Sequence, residues 1–353
     1  MPDMPCEDAV DPHIHLFDLR GTPRPMQPLG KLFGWNERLL RFMATKMMPS
    51  DTVAFFGRET DLLGDYLPQH YRADSRSSNI GRYVHIQAGW TDKKPLDPVG
   101  ETEWLDRLPD GPAAIVGYAD LALGDDVEPV LQAHRAASDR FRGIRHMLSW
   151  HPSDEVMNFA ETEGLSRTAP FRAGYDKLAT HGLSFDAWGY SDQLDEIAEL
   201  AASNPEVPMV LCHAATPIGY FGPYGGVGVS AAERDSIGAQ WRDGISALAA
   251  QSHVYCKLSG LLMPALGHGF RAASATPPSV QQLVDLLSPL VHHCIDAFGP
   301  ERCMVASNFP VDRVSAGYAN VTSAMVEMTA QYGRDAQVSL FRDTAAAFYR
   351  LAD

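Results

Sequence analysis

A chain of 353 residues with 45% apolar residues is long enough for one large α/β barrel or two ordinary domains, and no uninterrupted apolar run reaches the roughly 18 residues of a membrane span. Acidic residues outnumber basic ones 44 to 29, and the formal charge of −15 disfavours nucleic acid as a partner and gives no basic face for a membrane surface. The five cysteines, Cys6, Cys212, Cys256, Cys294 and Cys303, include no Cys-x-x-Cys pair, which argues against a disulfide framework or a thiolate zinc site and for buried, inert thiols.

The acidic opening, Met1 to Asp8, lacks the charged-then-apolar pattern of an export leader, so a cytoplasmic location is expected. The first β-like run, Val10–His15, carries Asp11-Pro12-His13-Ile14-His15. Alternation along a strand points His13 and His15 the same way, about 7 Å apart along it, where two imidazoles can hold a divalent metal or polarise a substrate carbonyl. Further β-like runs lie at Tyr83–Gly89, Ala114–Leu121, Gly143–Leu148, Leu183–Trp188, Pro208–His213, Val254–Leu258 and Cys303–Ala306. Helical periodicity marks Gln193–Ser203, Ala239–Gln251, Pro278–Phe298 and Val321–Tyr332 between or after them. Strands alternating with helices predict parallel βαβ units, and eight of them a distorted (β/α)8 TIM barrel over residues 1–353 as one domain.

The interval 16–82 is too long for a βα connection and reads as an insertion over or beside the barrel mouth. Within it Trp35–Met48 has an apolar face, expected to pack across the mouth or to form a homodimer contact. The glycine-rich stretch Gly219–Gly228 matches neither a P-loop nor a dinucleotide fingerprint and reads as a mobile lid.

In such a barrel the chemistry gathers at the carboxyl ends of the strands. There the sequence places His13 and His15 (first run), Arg145 (fourth), Asp186 and Trp188 (fifth), His213 (sixth), Lys257 and Ser259 (seventh) and Asn308 (after the eighth). His146 faces away if Arg145 faces in, and His151, His268, His292 and His293 show no ligand spacing, so these are read as structural.

The ordered set His13-Ile14-His15, Gly143-Ile144-Arg145, Val210-Leu211-Cys212-His213, Cys256-Lys257-Leu258-Ser259-Gly260 and Ala306-Ser307-Asn308-Phe309-Pro310 resembles the amidohydrolase superfamily of the amidohydrolase 2 type. More narrowly, it resembles the lactone-opening branch that acts on pyrone dicarboxylate, sulfomuconolactone and sugar lactones. The resemblance implies a small-molecule hydrolase for a lactone or related cyclic ester, in which His13, His15 and His213 ligate a metal or polarise the scissile carbonyl. It also implies that Arg145 binds a substrate carboxylate. From their strand-end positions Asp186 and Lys257 are read as further substrate contacts, with pairing to a neighbouring carboxylate, or a bridge to the lid, as the other readings of Lys257. One divalent metal, zinc before others, is implied on His13, His15 and His213; some members work with no metal.

The family's eighth-strand aspartate, which takes the proton of the hydrolytic water, is Asn308 here. An amide orients water but removes no proton near neutral pH, which leaves His213, the His13/His15 pair, Asp186 and Asp312 as candidate bases. A decarboxylase or other lyase on the same scaffold, or a catalytically silent ligand-binding barrel, are the alternative readings.

Overall fold

The computed structural model describes residues 4–25, 27–47, 55, 64–91, 96–271, 274 and 276–352. Eight strands follow one another in chain order around one sheet: β1 (Ala9–Ile14), β2 (Ile80–Ile86), β3 (Ala114–Gly117), β4 (Phe141–Ile144), β5 (Ser184–Ala187), β6 (Met209–Leu211), β7 (Val254–Leu258) and β8 (Cys303–Val305). Every neighbouring pair is parallel. Past β8 the chain returns alongside β1: the Asn308 N–H donates to the His13 carbonyl at 2.9 Å and the His15 N–H to the Phe309 carbonyl at 2.8 Å. The Asp11 carboxylate reinforces this seam, accepting from the Ser307 N–H at 3.0 Å and from the hydroxyls of Tyr71 and Tyr318. The architecture is the (β/α)8 barrel expected from the alternating pattern.

The strands are largely buried on both faces, the outer one covered by helices and the inner one by opposing strands. The helices are α1 (Gln27–Phe33), α2 (Glu37–Met47), α3 (Pro68–Ser75), α4 (Val99–Asp106), α5 (Glu128–Ala137), α6 (Ala169–His181), α7 (Leu194–Ser203), α8 (Ala231–Ala249), α9 (Val280–Phe298), α10 (Tyr318–Thr329), α11 (Arg334–Val338) and α12 (Thr344–Phe348). Local signals set their ends. The Ser279 hydroxyl and Gln282 amide cap α9 reciprocally, Thr168 caps α6, and the left-handed Gly182 closes α6. Helix α8 begins eight residues before the sequence expectation, because Ser230 caps it through the Glu233 N–H and its first two turns are largely exposed and carry little apolar periodicity.

Ala345, Phe348 and Tyr349 at the C-terminus pack with Val10, Val84, Val116, Val210 and Met304, so α12 and the residue after it fill the barrel from the end at which the strands begin. The insertion is tied at its base by antiparallel pairing of Phe17 with Tyr66. Leu40 and Ala44 of α2 bury against Leu19 and Leu29, while Leu32, Trp35, Phe42 and Met47 stay more than half exposed. Met48, the last residue of the expected helical stretch, lies outside the described residues. The Gly219–Gly228 stretch is pinned to the loop after β7, with the Gly219 and Phe221 N–H groups donating to the carbonyls of Ala265 and Leu266. Among the described residues no helix is long and apolar enough to cross a membrane. All five cysteines are free and buried.

Candidate active site at the carboxyl ends of the strands

At the end of β1 the His13 and His15 side chains converge, Nε2 to Nε2, at 3.2 Å. The bulge between Asp11 and Ile14 lets Asp11 face the outer helices while His13 faces in. Simple donor and acceptor rules place the protons of this pair. His15 Nδ1 lies 2.9 Å from the Ile86 carbonyl, which can only accept, so Nδ1 carries the hydrogen and Nε2 keeps its lone pair. His13 Nδ1 lies 3.3 Å from the Lys257 ammonium, which can only donate, so the His13 hydrogen sits on Nε2 and points at His15. Burial is the main cause that holds both imidazoles well below the ordinary histidine pKa, so both are neutral near neutral pH.

Lys257 is the hub beneath this pair. Its Nζ donates to Asp186 Oδ2 at 2.6 Å, and both side chains are fully buried. Asp186 further accepts from the Tyr349 hydroxyl, at 2.9 and 3.1 Å, and from the Cys212 thiol at 3.7 Å. Burial pushes that thiol up to about 12, so it stays protonated. Asp186 and Lys257, read from the sequence as substrate contacts, are thus bonded to each other and, through Lys257, to His13. Tyr349 carries no sequence signal for such a role, because it reaches the core only through the C-terminal plug.

His213 follows β6 in the left-handed region (φ 59°), as do the next three residues, and this turns its ring inward to 4.4 Å from the His13 ring centroid. Its Nδ1 lies 2.9 Å from the Ser259 hydroxyl. Gly260 makes room for it: a Cβ there would stand 2.5 Å from the imidazole, and its own φ is +63°. His13 and His213, 200 positions apart in the chain, therefore meet. Arg145 extends from the end of β4 over the Trp188 ring, 4.8 Å from guanidinium carbon to centroid, and Trp188 is fixed by donation from Nε1 to Thr216 at 2.9 Å. Arg145 is 4% exposed, yet its Nε–H has no hydrogen-bond partner among the described residues. Burial lowers its pKa and, first after burial itself, its charge helps keep His213 neutral.

Asn308 shares the left-handed conformation (φ 57°) and donates from Nδ2 to Asp312 Oδ1 at 2.9 Å, while its Oδ1, also buried, has no partner among the described residues. His146 faces outward as expected, accepting from the Leu121 N–H and packing edge-on to Tyr118 and tilted against Phe171. His268 and His292 bond backbone carbonyls, and His151 accepts from the Ser153 N–H.

Residues 10–351 match the amidohydrolase family. The chain belongs to the amidohydrolase family. It is 32% identical over 345 residues to the uncharacterised protein y4mH of Sinorhizobium fredii (strain NGR234), covering 97% of this chain and 98% of that one. It is 29% identical over 299 residues to an L-fucono-1,5-lactonase of Burkholderia multivorans, covering 83% and 88%. A zinc-bound crystal structure of an amidohydrolase from Burkholderia multivorans superimposes with a TM-score of 0.68 at 24% identity, over 98% and 99% of the two chains. The protein is a hydrolase of the amidohydrolase family, and Asn308 is its departure from the aspartate implied by the resemblance.

Among the described residues, donor atoms of His13, Asp186 and Cys212 gather within 4.8 Å of one another, a set that shares only His13 with the histidine trio implied by the resemblance. One imidazole, one carboxylate and one thiol fit a zinc-type ion chemically. The Lys257 ammonium stands among them, bonded to two of the three, so an ion enters this cluster only as the ammonium leaves it.

Proposed function

We propose that this amidohydrolase opens a lactone or related cyclic ester that bears a carboxylate. One observation supports this reading above others: two buried polar atoms, Arg145 Nε and Asn308 Oδ1, have no partner among the described residues, and they are a cationic donor and a neutral acceptor. Leaving such groups desolvated costs on the order of 1–3 kcal/mol each, more for the charged one. A substrate anion against Arg145 and a water or hydroxyl against Asn308 offset that cost. The lactonase name of the Burkholderia multivorans relative supports the ester class.

In the proposed reaction Arg145 receives the substrate carboxylate in the planar geometry that its fork favours. In the reactive tautomer His213 donates Nδ1–H to the Ser259 hydroxyl, 2.9 Å away, and presents the Nε2 lone pair to water. The water oxygen bonds to the ring carbonyl carbon as its proton passes to Nε2. The ring C–O bond then breaks, and the leaving alkoxide takes that proton back, which restores His213 and yields the hydroxy acid. Elimination supports His213 as the base: Asp186 is saturated by Lys257, Tyr349 and Cys212, Asp312 is bonded through both oxygens to Asn308 and the Leu262 N–H, and His13 and His15 are bonded to each other. A divalent ion, zinc first among candidates, held by His13, Asp186 and Cys212 would add Lewis-acid polarisation of the carbonyl.

Initial rates on paired lactones with and without a carboxylate, for wild type and Arg145→Met, test the proposal. Wild type is expected to favour the acid, and Arg145→Met to lose about a hundredfold or more in kcat/KM for it while changing the neutral lactone only a few-fold. No turnover of any lactone, with zinc supplied or withheld, refutes the reading.

A further inference from the structure

An amide in place of a base is useful only if it faces the right way, because one end accepts a hydrogen bond and the other donates two. The surroundings of Asn308 fix that choice. Its Nδ2 lies 2.9 Å from Asp312 Oδ1, and the other carboxylate oxygen accepts from the Leu262 N–H at 3.3 Å, in the loop after β7. Against the ionised carboxylate, a flipped amide would set oxygen against oxygen at Asp312. The backbone locks the geometry further: the Asn308 N–H donates to the His13 carbonyl, and the Asp312 N–H donates to the Asn308 carbonyl at 3.2 Å, closing one turn between the two side chains. Both residues are almost fully buried, at 1% and 2% exposed. The atom left over is Asn308 Oδ1, the partnerless acceptor beside the His13 strand end.

We propose that Asp312 is a positioning residue that holds the Asn308 amide by its nitrogen, so that the amide oxygen is offered as an acceptor to the hydrolytic water. This inference rests on the ester-hydrolysis reading above. In the reaction Asn308 Oδ1 accepts one water hydrogen and keeps it, while the other goes to His213; the amide orients and removes no proton. The arrangement places the acceptor function of a carboxylate at position 308 and the ionisable carboxyl one turn later, at position 312. Burial raises the Asp312 carboxyl to about 7, and the bonds from Asn308 and Leu262 are what counter it; no charged side chain is among the causes.

The test exchanges the two side chains. In Asp312→Asn the new amide keeps its oxygen on the Leu262 N–H and turns its nitrogen to Asn308, which must flip and point a donor at the water. We expect kcat to fall by about ten- to a hundredfold, with KM within about twofold. Combining Asp312→Asn with Asn308→Asp restores an acceptor toward the water, since the amide nitrogen at 312 then holds the carboxylate at 308, and kcat is expected to recover to within a few-fold of wild type. An unchanged kcat in Asp312→Asn overturns the proposal, and so does a loss that the exchange fails to rescue, which marks Asp312 as a strut for the β7 loop. A second arm needs no catalysis: the Asp312 carboxyl is titrated by carbon NMR in wild type and in Asn308→Leu. Loss of the amide bond is expected to raise the midpoint by about one unit; an unchanged midpoint overturns the positioning contact even if no lactone proves to be a substrate.

Discussion

Replacing Lys257 by Met removes the cation from the most deeply buried ion pair of the barrel. Asp186 and Lys257 are both inaccessible to solvent, and their 2.6 Å bond is the strongest contact that Asp186 makes. After Lys257→Met the carboxylate keeps the Tyr349 hydroxyl and the Cys212 thiol, two neutral donors that leave its charge uncompensated. An orphaned buried charge of this kind costs about 3–5 kcal/mol, a large share of the 5–15 kcal/mol that usually separates folded from unfolded chains. Asp186→Leu alone should cost a similar amount, because it strands the ammonium. The double variant, in which two apolar side chains fill the same space, should lie within about 1–2 kcal/mol of wild type. Urea unfolding midpoints of the four proteins measure this directly. A single variant that loses less than about 1 kcal/mol, or a double variant as unstable as the two singles together, would show that the pair is hydrated and refute the reasoning.

Two further outcomes follow from burial and crowding at the site. The Asp312 carboxyl, held at about 7 against an ordinary 3.8, keeps a proton in the folded chain that the unfolded chain releases. Its contribution to stability is therefore complete below about pH 4 and is lost as pH rises through about 7, a change of about 4 kcal/mol; unfolding midpoints of wild type and Asp312→Asn across that window should diverge accordingly, and parallel curves contradict the shift. Gly260→Ala puts a methyl group 2.5 Å from the His213 ring at a φ of +63°. It should lower kcat at least about tenfold while costing about 1–2 kcal/mol of stability, and full activity would show that the ring has another place to go.

The strands were legible because each is a short apolar run between polar turns. Their ends were less so: the fourth run was read as Gly143–Leu148, whereas β4 spans Phe141–Ile144, because Met147 and Leu148 continue the apolar pattern into a packed loop. The convergence of His13, His15, Arg145, His213 and Asn308 on the strand ends was legible from the barrel rule alone. What lay beneath them was not. The pairing of Asp186 with Lys257 depends on which layer of the barrel each occupies, and strand alternation gives a face but no depth. Tyr349 was invisible because its role arises from a C-terminal helix turning into the barrel, and Gly260 because its reason is a clearance to His213 across strands. The inward turn of His213 was hidden for a related cause, since ring orientation after β6 is set by a run of left-handed residues that no periodicity announces.

The central claim is that water is added across a cyclic ester at the His213 and Arg145 rim. Mass spectrometry of the product formed from a carboxylate-bearing lactone in oxygen-18 water tests it most directly. The account predicts an open-chain hydroxy acid heavier by one water, with the label in the newly formed carboxylate and its formation lost in His213→Ala. Release of carbon dioxide with no gain of label, or tight binding with the lactone recovered intact, would contradict it.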